Sequence, residues 1–147
     1  MTENDLLLMI GLSQIGVTEI KGDEHNPVIL QYFKDIGHSW VKEDETHWCS
    51  AFMNWVAHQA KCEKSQKLNA RSWMEIGESV DFDSYLVGDV CVFWRESPKS
   101  WKGHVSMYIG EDEEHIYCLG GNQNNQVNIS PYKKSRLLTV RRLSFTG

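Results

Sequence analysis

Long apolar runs, clusters of basic residues and closely spaced cysteines are all absent from this 147-residue sequence. No segment is apolar enough over enough residues to cross a bilayer, so we expect no membrane insertion. The 15 Lys and Arg residues are outnumbered by 20 Asp and Glu, which gives a formal charge of −5. Such a charge repels nucleic acid and anionic membrane surfaces, so neither is an expected partner.

The absence of paired cysteines bears on redox state and metals. The four cysteines lie far apart in the sequence, at Cys49, Cys62, Cys91 and Cys118. A domain of this size can build its core without disulfides, so we expect reduced thiols. Zinc sites usually include two ligands close in sequence, and none are found here, so we predict no metal and no cofactor. A zinc site whose Cys and His ligands meet only in the fold is the less favoured alternative.

A secretion signal is also not indicated. Glu3 and Asp5 stand where such signals carry basic residues, and Ser13 and Gln14 interrupt the following apolar residues. We therefore expect synthesis in the cytoplasm without a cleavable leader.

Apolar residues make up 41% of the sequence and charged residues 24%, which is typical of one globular domain spanning residues 1–147. In the first half of the chain, apolar residues recur at helical spacing. Four helices are predicted from their start and stop signals. The first is capped by Asn4 and runs to about Ile15, and the second is capped by Asn26, has Pro27 in its first turn and ends before Gly37. The third is capped by Thr46 and starts near Trp48, and a short fourth helix covers residues 70–76.

The second half of the chain is predicted to form strands, at residues 89–95, 104–109, 115–119, 127–129 and 137–142. Helices followed by strands favour an α+β fold over an alternating parallel one. We therefore predict an N-terminal helical lobe packed on a C-terminal antiparallel sheet of about five strands.

Cys49 is the cysteine best placed for chemistry, because it falls in the first turn of a predicted helix. Unpaired N–H groups and aligned peptide dipoles at a helix start stabilise a thiolate, and the same N–H groups can stabilise the oxyanion of an acyl-transfer intermediate. The competing interpretation, a buried structural thiol, fits Cys62, Cys91 and Cys118 better.

A cysteine nucleophile needs an imidazole to take its proton, and His104 is the predicted base. It opens a strand directly after Gly103. A hairpin turning near residues 112–113 places Gly121 or Asn122 opposite His104, so Asn122 is the predicted third residue. Gln123 is the alternate, because a bulge or a one-residue slip would exchange the side chain that faces the imidazole.

Three motifs, Trp48-Cys49-Ser50-Ala51-Phe52, Gly88-Asp89-Val90 and Gly103-His104-Val105, resemble those of NlpC-type and CHAP-type cysteine peptidases, the papain-like amidases of bacterial peptidoglycan. The resemblance spans most of the chain. Leu119-Gly120-Gly121-Asn122-Gln123 is similar to a small subfamily among phage lysins and wall-degrading proteins. One departure is that CHAP-type members often carry an acidic residue on the second strand, where this chain has Gly120, Gly121 and Asn122.

The resemblance implies a peptidoglycan hydrolase with Cys49, His104 and Asn122 as its catalytic residues. It implies a phage endolysin or a secreted antibacterial effector that cuts a wall amide after release or export to the wall or periplasm. The expected partner is the peptidoglycan stem peptide, joined by a cognate immunity protein if the protein is an effector, and the expected state is a monomer. Aromatic rings near the motifs and a histidine beside the nucleophile are predicted to line the substrate groove: Trp48, His47, Trp101 and Tyr108.

Two other functions fit the same sequence. One is a non-catalytic module that binds the cell wall or a partner, which would have an unreactive Cys49. The other is an acyltransferase or deamidase that uses the same Cys-His chemistry with an acceptor other than water. The loops at 19–26 and 96–102 are predicted to decide which amide is cut.

Overall fold

Helices occupy the first half of the chain and strands the second, as the spacing of apolar residues predicts. The computed structural model describes residues 1–20, 24–43 and 47–147. The elements in chain order are α1 (Glu3–Leu12), α2 (Pro27–Asp35), α3 (Cys49–Gln59), a 3₁₀ helix (Ala70–Glu75), β1 (Glu78–Ser79), β2 (Val90–Trp94), β3 (Gly103–Glu111), β4 (His115–Gln123), β5 (Gln126–Lys133), a second 3₁₀ helix (Lys134–Arg136) and β6 (Leu137–Arg142).

The strands form one antiparallel sheet in the order β1-β6-β2-β3-β4-β5. The predicted α+β class is confirmed. The sheet has six strands because the two-residue β1 pairs with β6, and two residues are too few to give a sequence pattern. Within the described residues, no helix has the length and apolarity needed to cross a membrane.

The helix starts agree with the sequence in one case and differ in another. Asn26 caps α2, accepting a hydrogen bond from the Val28 N–H at 2.9 Å. Helix α1 is capped by Thr2 instead of Asn4, through a capping box with Asp5, and it ends at Leu12. The amide of Asn4 is used elsewhere, as described below. The predicted cap of α3, Thr46, lies outside the described residues.

The main core lies between the helices and one face of the sheet. Helix α3 packs against β3 and β4, and its apolar side is fully buried. Gly121 on β4 allows this close approach, because a Cβ there would lie 2.7 Å from the Phe52 Cβ and 2.8 Å from the Trp48 ring. A smaller apolar cluster on the second face of the sheet contains Cys91, Phe93, Tyr108, Ile116, Cys118 and Val140.

A buried carboxylate links α1 to β6 of the sheet. Asp89 is fully buried and accepts two hydrogen bonds from the Arg142 guanidinium, at 2.9 and 2.7 Å. It also accepts from the Asn4 amide at 2.9 Å and from the Leu86 N–H at 2.8 Å. A buried charge is tolerated when its lone pairs are this fully satisfied.

We predict that Asp89→Ala lowers the free energy of unfolding by about 3 kcal/mol, because three donors lose their acceptor in a partly buried site. Urea denaturation measures the change. Asp83→Ala is the matched control, since Asp83 is exposed and surface substitutions cost less than about 0.5 kcal/mol. Similar losses in the two variants would show that the Asp89 network is not a major source of stability.

Candidate active site

Cys49 is the first residue of α3, at the end of the sheet where β3 begins. It is 7% exposed. Burial raises the pKa of its thiol, and the backbone N–H groups of Val105 and Ser50 oppose that rise, as does the positive charge of Arg95. The thiol is therefore surrounded by donors that would stabilise negative charge, although it is protonated at rest.

His104 lies next to the first residue of β3 and pairs across the sheet with Phe93. Tyr132, on β5, holds both rings: its ring stacks on the imidazole with centroids 4.7 Å apart and on Phe93 at 5.0 Å. The imidazole is 7% exposed. These contacts fix the plane of the ring.

Gln123 fixes the tautomer of that ring. Its amide nitrogen donates to the Cys118 carbonyl and to both the carbonyl and side-chain oxygen of Asn128, at 3.2, 2.9 and 2.9 Å. Its amide oxygen, which can only accept, lies 2.9 Å from the His104 Nε2. The proton of a neutral imidazole is therefore on Nε2, and the Nδ1 lone pair is left available.

A bulge in β4 explains why Gln123, and not Asn122, makes this contact. Gly120 pairs with Asn128 and Gln123 pairs with Gln126, so two residues of β4 face one residue of β5. Asn122 lies in this bulge with φ of +57°, in the left-handed region. The extra residue turns the Gln123 side chain to the face that carries His104. The prediction that Asn122 orients the imidazole is therefore wrong in this structure, and the predicted alternate occupies that place.

Gly120 makes room for the Gln123 amide. A Cβ on Gly120 would lie 2.6 Å from the Gln123 Oε1 and 2.7 Å from the Ser106 Cβ. The pair Gly120-Gly121 thus clears space on both faces of β4, for the amide on one side and for α3 on the other.

The buried environment keeps the two reactive groups neutral. Burial lowers the pKa of His104 to about 4; the hydrogen bond that His104 donates to Gln123 acts against this, and the charge of Arg95 adds to it. Together with the raised pKa of Cys49, this predicts a resting thiol and neutral imidazole, not the thiolate-imidazolium pair that a helix start alone would favour.

Two cavities meet at Cys49. Cavity A has a volume of about 300 Å³ and is lined by His47, Cys49, Phe93, Trp94, Arg95, His104, Asn122, Tyr132 and Arg136. Cavity B, of about 80 Å³, is lined by His47, Cys49, Leu68, Asn69, Ala70, Arg95, Trp101, Lys102 and Gly103. The thiol is therefore accessible from a cleft that extends to both sides of it.

Two of the four predicted groove residues line this cleft and two do not. His47 lines both cavities, and Trp101 lines cavity B. Trp48 is fully buried under α2 and α3, with its indole N–H donating to Glu19 at 3.0 Å, so it cannot contact a substrate. Tyr108 lies in the smaller apolar cluster and donates its hydroxyl to Glu111 at 2.8 Å. Both predictions are wrong because nearness in sequence to a motif does not set the direction of a side chain.

Five residues of cavity A were not predicted from the sequence: Phe93, Trp94, Arg95, Tyr132 and Arg136. Arg95 follows the last residue of β2, the strand that pairs with the start of β3, so its position was available from the strand pattern. Tyr132 and Arg136 come from the distant end of the chain and gave no such signal. Of the loops predicted to decide specificity, 96–102 contributes Trp101 and Lys102 to cavity B, whereas residues 21–23 of the other lie outside the described residues.

All four cysteines are buried free thiols. In the described part of the chain, no group of three His, Cys, Asp or Glu side chains is arranged to hold a metal ion. The described residues of the site supply a thiol, an imidazole and the surrounding N–H groups.

No family model matches the chain, and no curated protein sequence matches it. Solved structures are similar at low identity. The P60 domain of an M. avium paratuberculosis antigen has 20% identity and a TM-score of 0.55, over 95% of this chain and 92% of that one. RipD of Mycobacterium tuberculosis, described as a non-catalytic NlpC/p60 domain protein adapted to peptidoglycan binding, has 18% identity and a TM-score of 0.53, over 97% and 98%.

RipB of M. tuberculosis, described as a peptidoglycan hydrolase, has 17% identity and a TM-score of 0.56, over 95% of this chain and 64% of RipB. The predicted NlpC-type papain-like fold is confirmed by these likenesses. The CHAP-type and phage-lysin part of the resemblance stays a prediction.

The low pKa of His104 predicts a pH dependence of stability. The unfolded chain binds a proton at this residue near pH 6.5, whereas the folded chain does so only near pH 4. The free energy of unfolding therefore decreases by up to about 3 kcal/mol as the pH falls through this interval. Urea denaturation at pH 7 and pH 4.5 measures the loss in the wild type and in His104→Asn, which lacks this contribution. An equal loss in both proteins would contradict the prediction.

Proposed function

We propose that the protein is a cysteine-dependent hydrolase that cleaves an amide bond in the peptide of bacterial cell wall, with Cys49 as nucleophile and His104 as base. The observation that carries the proposal is the hydrogen bond between Gln123 and the His104 Nε2, in a cavity that Cys49 also lines. It leaves Nδ1 as the acceptor, which is the state that a general base requires.

The mechanism starts from neutral groups. The Cys49 thiol gives its proton to the His104 Nδ1 as its sulfur attacks the amide carbon, and the backbone N–H groups at the start of α3 stabilise the oxyanion. The imidazolium then gives that proton to the leaving amine, and the acyl group stays on sulfur as a thioester. Water, activated by the same imidazole, hydrolyses the thioester and restores the thiol.

The fold supports a wall peptide as substrate. Solved structures similar to this chain include RipB, described as a peptidoglycan hydrolase, and RipD, described as adapted to peptidoglycan binding. A cleft extending to both sides of Cys49 suits a peptide that continues beyond the scissile bond on each side. The proposed place of action is the cell wall, reached by release as an endolysin or by export as an effector.

A second candidate function is a non-catalytic module that binds the wall. The similarity to RipD favours it, and so does the deep burial of Cys49. The two candidates differ in one property, the reactivity of the Cys49 sulfur toward a bound amide.

We predict that purified protein releases peptide fragments from peptidoglycan and that Cys49→Ala releases none, because the nucleophile is missing. Mass spectrometry of the soluble fragments measures this and identifies the bond. Cys62→Ala is the control, since Cys62 is a buried thiol at the end of α3 that lines neither cavity.

Failure of the wild type to release fragments, with retained binding to the same peptidoglycan, would refute hydrolysis and support the binding module. New covalent adducts with added amines, instead of hydrolysed ends, would indicate an acyltransferase.

Gln123→Ala is predicted to lower kcat on the order of tenfold to hundredfold, because the imidazole loses the acceptor that sets its tautomer. KM should change little, since Gln123 lines neither cavity. Asn122→Gly is the matched comparison: glycine accepts the left-handed backbone of the bulge, so a smaller loss is expected. Steady-state assays on a wall fragment measure both. A larger loss of kcat in Asn122→Gly would show that Gln123 does not orient the base.

A further inference from the structure

The arginines of this chain divide into two groups according to what they bind. There are five, and three of them are held by the fold. Arg71 donates to three carbonyls of the 97–102 loop, Arg141 donates to the Ile76 and Gly77 carbonyls, and Arg142 is paired with Asp89. The other two are Arg95 and Arg136, and both line cavity A.

Neither of these two guanidiniums is hydrogen-bonded or ion-paired to any residue that the structure describes. Arg136 packs over the Trp94 ring, 4.8 Å from its centroid, which holds the group at the cavity wall while leaving its N–H donors unused. Arg95 is exposed and lies where cavities A and B meet. Unused donors on two arginines in one cavity indicate a ligand with acceptor oxygens.

The charges around these arginines indicate that the ligand is an anion. Of the residues that the structure describes, no Asp or Glu lines cavity A, although the protein as a whole has a net charge of −5. Cavity B differs, because its Lys102 ammonium is bound by Glu96 at 2.6 Å. Among the described residues, the two arginines without an ion-pair partner therefore both line cavity A, beside Cys49 and His104.

We propose that Arg95 and Arg136 bind a free carboxylate on the substrate, carried by a residue that adjoins the scissile amide. The guanidinium group matches a carboxylate in shape and donates two parallel hydrogen bonds to it. The inference builds on the proposed function and adds a chemical requirement: the peptide cleaved at Cys49 is acidic next to the cut. Amidation of that carboxylate removes the charge and the second acceptor, so the amidated peptide is a poor ligand.

The test uses the Cys49→Ala protein, a synthetic wall stem tetrapeptide with free side-chain and α-carboxylates, and the same peptide with those carboxylates amidated. Isothermal titration calorimetry is expected to show about tenfold tighter binding of the acidic peptide. Adding Arg136→Gln or Arg95→Gln to the Cys49→Ala protein should reduce this preference to near unity, mainly by weakening the binding of the acidic peptide. Arg136→Lys should keep part of it, because the charge remains while the paired donors are lost.

Lys133→Gln is the matched control, since it removes one positive charge from an exposed residue outside both cavities. It should leave the preference near tenfold. Thermal unfolding of each variant checks the fold, which exposed arginines without structural hydrogen bonds are not expected to affect. Equal binding of the two peptides, binding of neither, or a preference that survives both Arg→Gln changes would overturn the inference.

Failure of this inference is distinguishable from failure of the proposed function. If the wild type cleaves peptidoglycan but treats acidic and amidated peptides alike, hydrolysis holds and the carboxylate site is wrong. If the wild type cleaves nothing but the arginine-dependent preference is found, the carboxylate site holds and the protein is a binding module. For a cleaving enzyme, the Arg→Gln variants should raise KM for the acidic peptide with a smaller change in kcat.

Discussion

The hydrogen bond between the Gln123 amide and His104 is the interaction on which the candidate site depends. An amide has a donor end and an acceptor end, and the strand environment occupies the donor end completely through Cys118 and Asn128. Only the oxygen is left for the imidazole. The sheet therefore determines the protonation pattern of the ring, with a neutral amide where Ser-His-Asp triads have a carboxylate.

The presence of an amide beside the imidazole, and not a carboxylate, has an electrostatic consequence. A carboxylate beside the buried imidazole would stabilise imidazolium, whereas an amide contributes only a dipole, so burial dominates and the pKa of His104 falls to about 4. The pKa of Cys49 rises for the same reason. These pKa shifts favour a proton on the Cys49 sulfur and a neutral His104 in the site without a ligand. We expect such a site to react slowly with general thiol reagents, because the thiolate is the nucleophile.

Under the proposed function, the cleft adds selectivity to this chemistry. Two arginines without hydrogen-bond partners among the described residues lie beside Cys49, and the other three make structural hydrogen bonds. The stacking of Arg136 on Trp94 restricts the side chain before any ligand binds, which lowers the entropy lost on binding. The same tryptophan therefore belongs to the proposed binding surface.

The fold class, the start of α2 and the candidate nucleophile and base could be predicted from the sequence, because periodicity, caps and a cysteine at a helix start are local signals. The tertiary structure alone decided between Asn122 and Gln123, since a single inserted residue in β4 reverses which side chains face His104. It also decided that Trp48 is buried and that Arg136 lines the cavity. These are properties of non-local packing, which depends on how distant strands align, and short-range pattern does not contain that information.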